Sequence, residues 1–251
     1  MIKTDQKKNQ SLDLQYQVPS YHIPIEKFFQ FGLSIDCMVF GYEAGSLKVL
    51  LIERGVQPYI GATALPGDLV YPNEEIEVAA QRILSDLTGL GNVFLKQTKT
   101  YGKVDRHPIG RVITIGYYSL IDISRYDPQP FTWATNVFWK DVAELPKLAF
   151  DHNQILQDGL TALRREVKRR PVGFELLPEK FTLGELQALY EALLNERYDK
   201  ANFRKRFLSM NLLHSLKESQ TDVPHRPGRL YSFDQSRYEE LKTKGFSFEF
   251  K

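Results

Sequence analysis

One stretch constrains this chain more than any other. It opens with Leu65-Pro66-Gly67-Asp68 and closes with Gly89-Leu90. Between them Ile76, Ala80, Ile83, Leu84 and Leu87 recur at the spacing of a single helix face. Gly89 stands where a helix C-terminus takes a residue tolerant of positive φ. The stretch therefore predicts a turn, a loop and one amphipathic helix.

Strand patterns flank it. Residues 33–40 and 47–52 are apolar runs joined by Glu43-Ala44-Gly45-Ser46, which predicts a hairpin. Residues 93–101, 111–121 and 136–139 predict three more strands, with a polar connection at 102–108. Residues 151–170 predict a long helix whose stripe is Leu156, Leu160, Leu163 and Val167. Strands interleaved with helices imply a mixed sheet with helices on its faces.

The central stretch resembles the Nudix box. Asp68 takes the first Gly of that box, Glu74 its first Glu and Arg82 its Arg, while Leu84, Gly89 and Leu90 match its apolar, Gly and apolar positions. Leu65-Pro66-Gly67 matches the family's lead-in. Three acidic positions depart: Ile83, Asp86 and Leu87 stand where the hydrolases carry the glutamates that hold divalent metal. Magnesium needs a nearly octahedral oxygen shell, to which Ile83 and Leu87 contribute nothing. The expectation is a Nudix fold over residues 31–168 without hydrolytic activity, with no catalytic residue, no metal and no cofactor. The alternative is an active hydrolase of nucleoside diphosphate derivatives that keeps Glu74, Arg82 and Asp86 and borrows a carboxylate such as Asp105.

A second unit begins after Pro171. Thr182 and Glu185 have the spacing of a capping box, and Leu183, Leu186, Tyr190 and Leu193 form the stripe of the helix that follows, to about residue 196. Asp199 is a second N-cap candidate. It opens a short helix in which Phe203 and Phe207 share one face, with Lys200, Asn202, Arg204, Lys205 and Arg206 on the others. Residues 212–216 and 230–233 predict a hairpin around His225-Arg226-Pro227-Gly228-Arg229. Helix, turn, helix, hairpin is the layout of a winged helix-turn-helix. Residues 197–229 hold eight Lys and Arg against three Asp and Glu. Such cations neutralise DNA phosphates, and Arg can grip guanine with two bonds. The candidate DNA contacts are Lys200, Asn202, Arg204, Lys205 and Arg206 in the helix, with Arg226 and Arg229 in the wing. Arg164, Arg165, Lys168, Arg169 and Arg170 form a further cluster, readable as a complement to the helix dipole or as phosphate contacts. Residues after Asp234 show no clear pattern.

The two halves together resemble the Nudix-related transcriptional regulators of bacteria. The segments Gly173-Phe174-Glu175-Leu176-Leu177-Pro178, Phe181-Thr182, Asn202 to Arg206 and Arg226 to Tyr231 are similar to that family's C-terminal domain. The resemblance implies an α+β chain: a Nudix-type α/β/α sandwich with a mixed sheet, then a winged helix-turn-helix. The implied layout is an N-terminal arm at 1–30, an effector-sensing domain with its linking helix at 31–170 and a DNA-binding domain at 171–251. It further implies a homodimer on double-stranded operator DNA, usually a repressor, answering to ADP-ribose or a pentose. Polar residues around the Nudix cleft are the effector candidates: Asp36, Arg54, Asp105, Arg106 and Arg111. Their mixture of Asp and Arg suits sugar hydroxyls and a diphosphate equally.

Composition narrows the class. An apolar fraction of 42% excludes wholesale disorder. A single cysteine, Cys37, allows no internal disulfide, which points to a cytoplasmic protein. Residues 1–20 are polar, unlike a signal peptide, and no apolar run reaches the roughly 20 residues of a membrane span.

Overall fold

The computed structural model describes residues 30–221, 224, 226–246, 248 and 250. The expected N-terminal arm, with Tyr16, Tyr21, Phe28 and Phe29, and His225 of the basic turn lie outside them.

Strands β1 (Gly32–Glu43) and β2 (Ser46–Arg54) form the expected hairpin. Two short strands, β3 (Thr63–Ala64) and β4 (Gly67–Leu69), lead into helix α1 (Ile76–Thr88). Gly89 ends that helix in the left-handed region at φ 71°. Then come β5 (Lys96–Tyr101), β6 (Val112–Asp122), β7 (Ala134–Asp141) and the long helix α2 (His152–Arg169). The sheet runs β3-β2-β1-β6-β5, with β4 on β1 and β7 on β2. It is mixed, because β1 and β6 pair in parallel while its other pairs are antiparallel.

The alternation along β1 and β2 sorts the core into two layers. Ile35, Cys37, Val39, Leu50 and Ile52 pack with Ala80, Ile83, Leu84 and Leu87 of α1. Met38, Phe40, Val49 and Leu51 pack with Ile155, Leu156, Leu160 and Leu163 of α2. Each such buried side chain is worth about 1.5–3 kcal/mol. This is the α/β/α sandwich.

A short 3-10 turn (Val172–Leu176) follows α2, then β8 (Phe181–Thr182), α3 (Leu183–Leu194), α4 (Lys200–Ser209) and the hairpin β9 (Leu213–Ser219) with β10 (Arg229–Phe233). Strand β10 lies between β8 and β9. The α2-side layer of the sandwich continues into this segment as one apolar cluster through Phe174, Phe181, Leu186, Tyr190 and Phe207. Asn195, in the left-handed region at φ 55°, stops α3 just short of the expected residue 196.

Two features of the C-terminal residues are absent from the sequence reading. Residues Gln235–Thr243 form a fifth helix, α5. Beyond it Phe248 and Phe250 are each 2% exposed in the same apolar cluster. No helix among the described residues is long and apolar enough to cross a membrane.

Candidate functional site

In the box, Arg82 and Glu74 form a fork. Arg82 Nε donates to Glu74 Oε2 at 2.8 Å and Nη2 to Oε1 at 2.6 Å. Nη2 also donates to the Leu69 carbonyl at 3.0 Å, and the guanidinium lies 3.8 Å from the Tyr71 ring centroid. The Arg82 hydrogen bonds hold the Glu74 carboxyl down at about 2. Both carboxylate oxygens of Glu74 are thus engaged in closing the loop onto α1. Ile83 and Leu87 point into the core, 0% and 1% exposed. Asp86 stays at the surface, 3.5 Å from Arg82 Nη1. Among the described residues no group of three or more His, Cys, Asp or Glu could hold a metal ion. Of the box's acidic positions, Ile83 and Leu87 supply no oxygen to a magnesium shell, while Glu74 and Asp86 keep carboxylates.

Gly67 pairs with Asp36 across β4 and β1. A Cβ there would clash with Asp36 Oδ1 and approach the Ile35 carbonyl oxygen to 2.8 Å. The lead-in glycine is required by this close approach.

Asp36 belongs to a buried polar group that spans the chain. Arg106 donates to both oxygens of Asp151, Nε at 2.9 Å and Nη2 at 2.6 Å, and its Nη1 donates to Thr114 Oγ1. Its Nη2 is also 3.6 Å from Asp36, and His152 Nε2 is 3.4 Å from the same carboxylate. Asp151 stands at the N-cap position of α2 without capping it, because Arg106 occupies its carboxylate. Burial raises the Asp36 carboxyl, opposed by His152 and Arg106.

Arg54 lies beside this group, 8% exposed. Its Nε donates to the Pro58 carbonyl at 2.8 Å. The guanidinium is 4.8 Å from the Trp133 ring centroid and 5.0 Å from that of Phe150. Asp68 accepts from Trp133 Nε1 at 3.0 Å. Phe150 sits in the left-handed region at φ 53° and stacks on His107 at 5.3 Å. No carboxylate among the described residues lies within ion-pair distance of Arg54. Burial pulls the Arg54 guanidinium down, opposed by Asp68 and Asp36.

Of the effector candidates, Asp36, Arg54 and Arg106 are thus brought together. Asp105 is exposed and pairs with Lys103 at 3.4 Å. Arg111 donates to the Gly102 carbonyl at 2.6 Å. Neither bonds to the buried group. The sequence reading missed Thr114, Trp133, Phe150 and His152; none of them carries a local motif that would have marked it.

In the C-terminal segment the capping box is present. Thr182 Oγ1 accepts from the Glu185 N–H at 3.1 Å, and Glu185 Oε2 accepts from the Thr182 N–H at 2.7 Å. Asp199 caps α4 by accepting from the Asn202 N–H at 2.9 Å. Phe203 and Phe207 anchor α4 in the core, 2% and 1% exposed. Lys200, Asn202, Arg204 and Lys205 are exposed, and Arg206 is half-buried. Arg226, on the connection between β9 and β10, and Arg229, which opens β10, are exposed as well. Lys200, Arg204, Lys205 and Arg229 have no acidic partner among the described residues. Part of the cluster on α2 serves packing: Arg164 Nε donates to the Leu193 carbonyl at 3.4 Å and Lys168 pairs with Glu196 at 2.8 Å.

A Nudix-type sandwich whose linking helix runs into a winged helix, with a cationic face on the second helix of the wing domain, is the architecture expected of a Nudix-related regulator. Residues 173–233 match the family model described as the NrtR DNA-binding winged helix domain. The chain is 28% identical over 242 residues to the ADPR responsive transcriptional repressor NtrR of Acinetobacter baylyi, covering 95% of this chain and 93% of that one. It is 36% identical over 111 residues to the ADP-ribose pyrophosphatase of Methanocaldococcus jannaschii, covering 44% and 64%. The crystal structure of Shewanella oneidensis NrtR complexed with a 27mer DNA superimposes with a TM-score of 0.64 at 28% identity, over 86% of this chain and 97% of that one. Along nearly its whole length the chain is thus similar to Nudix-related transcriptional regulators.

Proposed function

We propose that this protein is a transcriptional repressor that binds operator DNA through its winged helix and is controlled by ADP-ribose bound in its Nudix-type domain. The observation that carries the reading is α4: two buried phenylalanines fix the helix while Lys200, Arg204 and Lys205 stand outward without acidic partners. Full-length similarity to an ADPR responsive repressor favours ADP-ribose over a pentose. The protein-side DNA contacts are Lys200, Asn202, Arg204, Lys205 and Arg206, with Arg226 and Arg229 from the wing. Two protomers in a homodimer would set two such helices roughly 34 Å apart, one duplex turn.

The effector contacts are Asp36, Arg54 and Arg106; Asp105 and Arg111, the other two candidates, stand apart from that buried group. Arg54 is the anion-facing member, a buried cation with no ion-pair partner among the described residues. Control follows from the route out of the cleft. Arg106 grips Asp151 at the start of α2, and α2 ends in the wing segment. A ligand that binds one arrangement of Arg106 and Asp151 better than another shifts the pose of the wing by that difference in affinity and by no more. The units are the N-terminal arm at 1–30, the sensing domain at 31–170 and the DNA-binding domain at 171–251.

Operator binding is tested with a duplex from upstream of the protein's own gene, titrated at several salt concentrations with and without ADP-ribose. Specific binding released by ADP-ribose supports the reading. Arg204→Ala and Lys205→Ala should each lower the salt slope by about 1. Unchanged slopes in both would remove α4 from the interface. The similarity to an ADP-ribose pyrophosphatase keeps a second reading in view, that of a hydrolase. Magnesium-dependent cleavage of ADP-ribose at ~1 per second or faster would establish it. The filled positions Ile83 and Leu87 support the absence of such turnover.

A further inference from the structure

We propose that Phe250 is a positioning residue for Arg206, helping to fix where that guanidinium stands on the DNA-contacting helix. This rests on the reading of α4 as the DNA-contacting helix. Arg206 lies on α4 between its two anchors, and its guanidinium carbon is 5.0 Å from the centroid of the Phe250 ring. That distance is within the range of a cation–π contact. Phe250 comes from the C-terminal tail, outside residues 173–233 that match the winged-helix family.

Phe250 is pinned twice. The Phe250 N–H donates to the Lys168 carbonyl of α2 at 2.8 Å. Its ring is 2% exposed and packs against Tyr190 at 5.0 Å, Tyr198 at 5.1 Å, Phe203 at 5.6 Å and Phe207 at 5.2 Å. A ring held on so many sides is a rigid platform. The surface hollow beside it, about 510 Å³, is lined by Asn202, Lys205, Arg206 and Ser209 of α4 and by Phe250 itself.

An arginine head free in solvent loses many rotamers when it docks on a phosphate or a base edge. One already laid over a fixed ring loses fewer, so its DNA contact forms with less opposing entropy. The tail thereby takes part in DNA binding without touching DNA. It also joins the end of α2 to the cationic face of α4.

The test is a double-mutant cycle on the full chain. Affinities for the operator duplex and for a scrambled duplex are measured for wild type, Phe250→Leu, Arg206→Ala and the pair together, with melting temperatures alongside. Phe250→Met replaces the Leu variant if the latter does not fold. The expected result is a loss of about three- to tenfold for Phe250→Leu in the Arg206 background and none in the Arg206→Ala background. An equal loss in both backgrounds would make Phe250 a core residue only and overturn the proposal. So would no loss on Phe250→Leu, or no effect of Arg206→Ala. A wild-type protein that does not distinguish the two duplexes removes the DNA-binding reading itself, and this proposal with it.

Discussion

The backbone N–H of Leu65 donates to Nδ1 of His152 at 3.0 Å. Nδ1 therefore carries no proton, and Nε2–H faces Asp36 at 3.4 Å. The bond ties the lead-in of the box to the first residue of α2. Burial holds the His152 imidazole below its ordinary 6.5, helped by Arg106 and Arg54 and opposed by Asp36 and Asp151. The unfolded histidine consequently takes up its proton first as pH falls. Stability from neutral His152 is complete above 6.5 and is lost as pH drops through that value toward the lower folded one. Asp36 acts with the opposite sign, because its raised carboxyl protonates more readily folded than unfolded. Relative to His152→Asn, the wild type should lose melting temperature between about pH 7.5 and about 5.5. Parallel pH profiles would show that His152 stays uncoupled from folding.

Gly67→Ala should destabilise by about 1–3 kcal/mol, read from the urea midpoint. An alanine in a loop or strand often stabilises through the unfolded chain. Here its Cβ would meet Asp36 and the Ile35 carbonyl. A variant at least as stable as wild type would mean that β4 yields easily.

Restoring glutamates at the box by Ile83→Glu with Leu87→Glu should not create a hydrolase. Both positions are closed into the α1 layer of the core. Unpaired carboxylates there should cost about 3 kcal/mol or more, seen as a fall in melting temperature. A well-folded double variant that cleaves ADP-ribose with magnesium would refute this.

Thr182→Ala removes one arm of the capping box and leaves the Glu185 N–H without its acceptor. The expected loss is about 1 kcal/mol. Denaturant titration checks it, and a variant indistinguishable from wild type would show that α3 is held by packing alone.

Local chemistry was legible from residue order. The α1 stripe, the Gly89 terminus, the Thr182 and Asp199 caps, the β1–β2 hairpin and the inward Phe203 and Phe207 each depend on neighbours a few positions apart. Periodicity and side-chain capping bonds reach no further than that. So did the class of the chain, since the box and the wing each occupy a short run. Tertiary structure alone decided which charges met. Arg106 joined Asp36, Thr114 and Asp151 because the parallel pairing of β1 with β6 and the docking of α2 brought distant segments together. Asp105, next in sequence to Arg106, was left at the surface. The left-handed Phe150, the rings around Arg54 and the burial of Phe248 and Phe250 belong to the same category. Their side chains take meaning only from surfaces that exist after the sheet and helices have packed, and no short-range pattern encodes those surfaces.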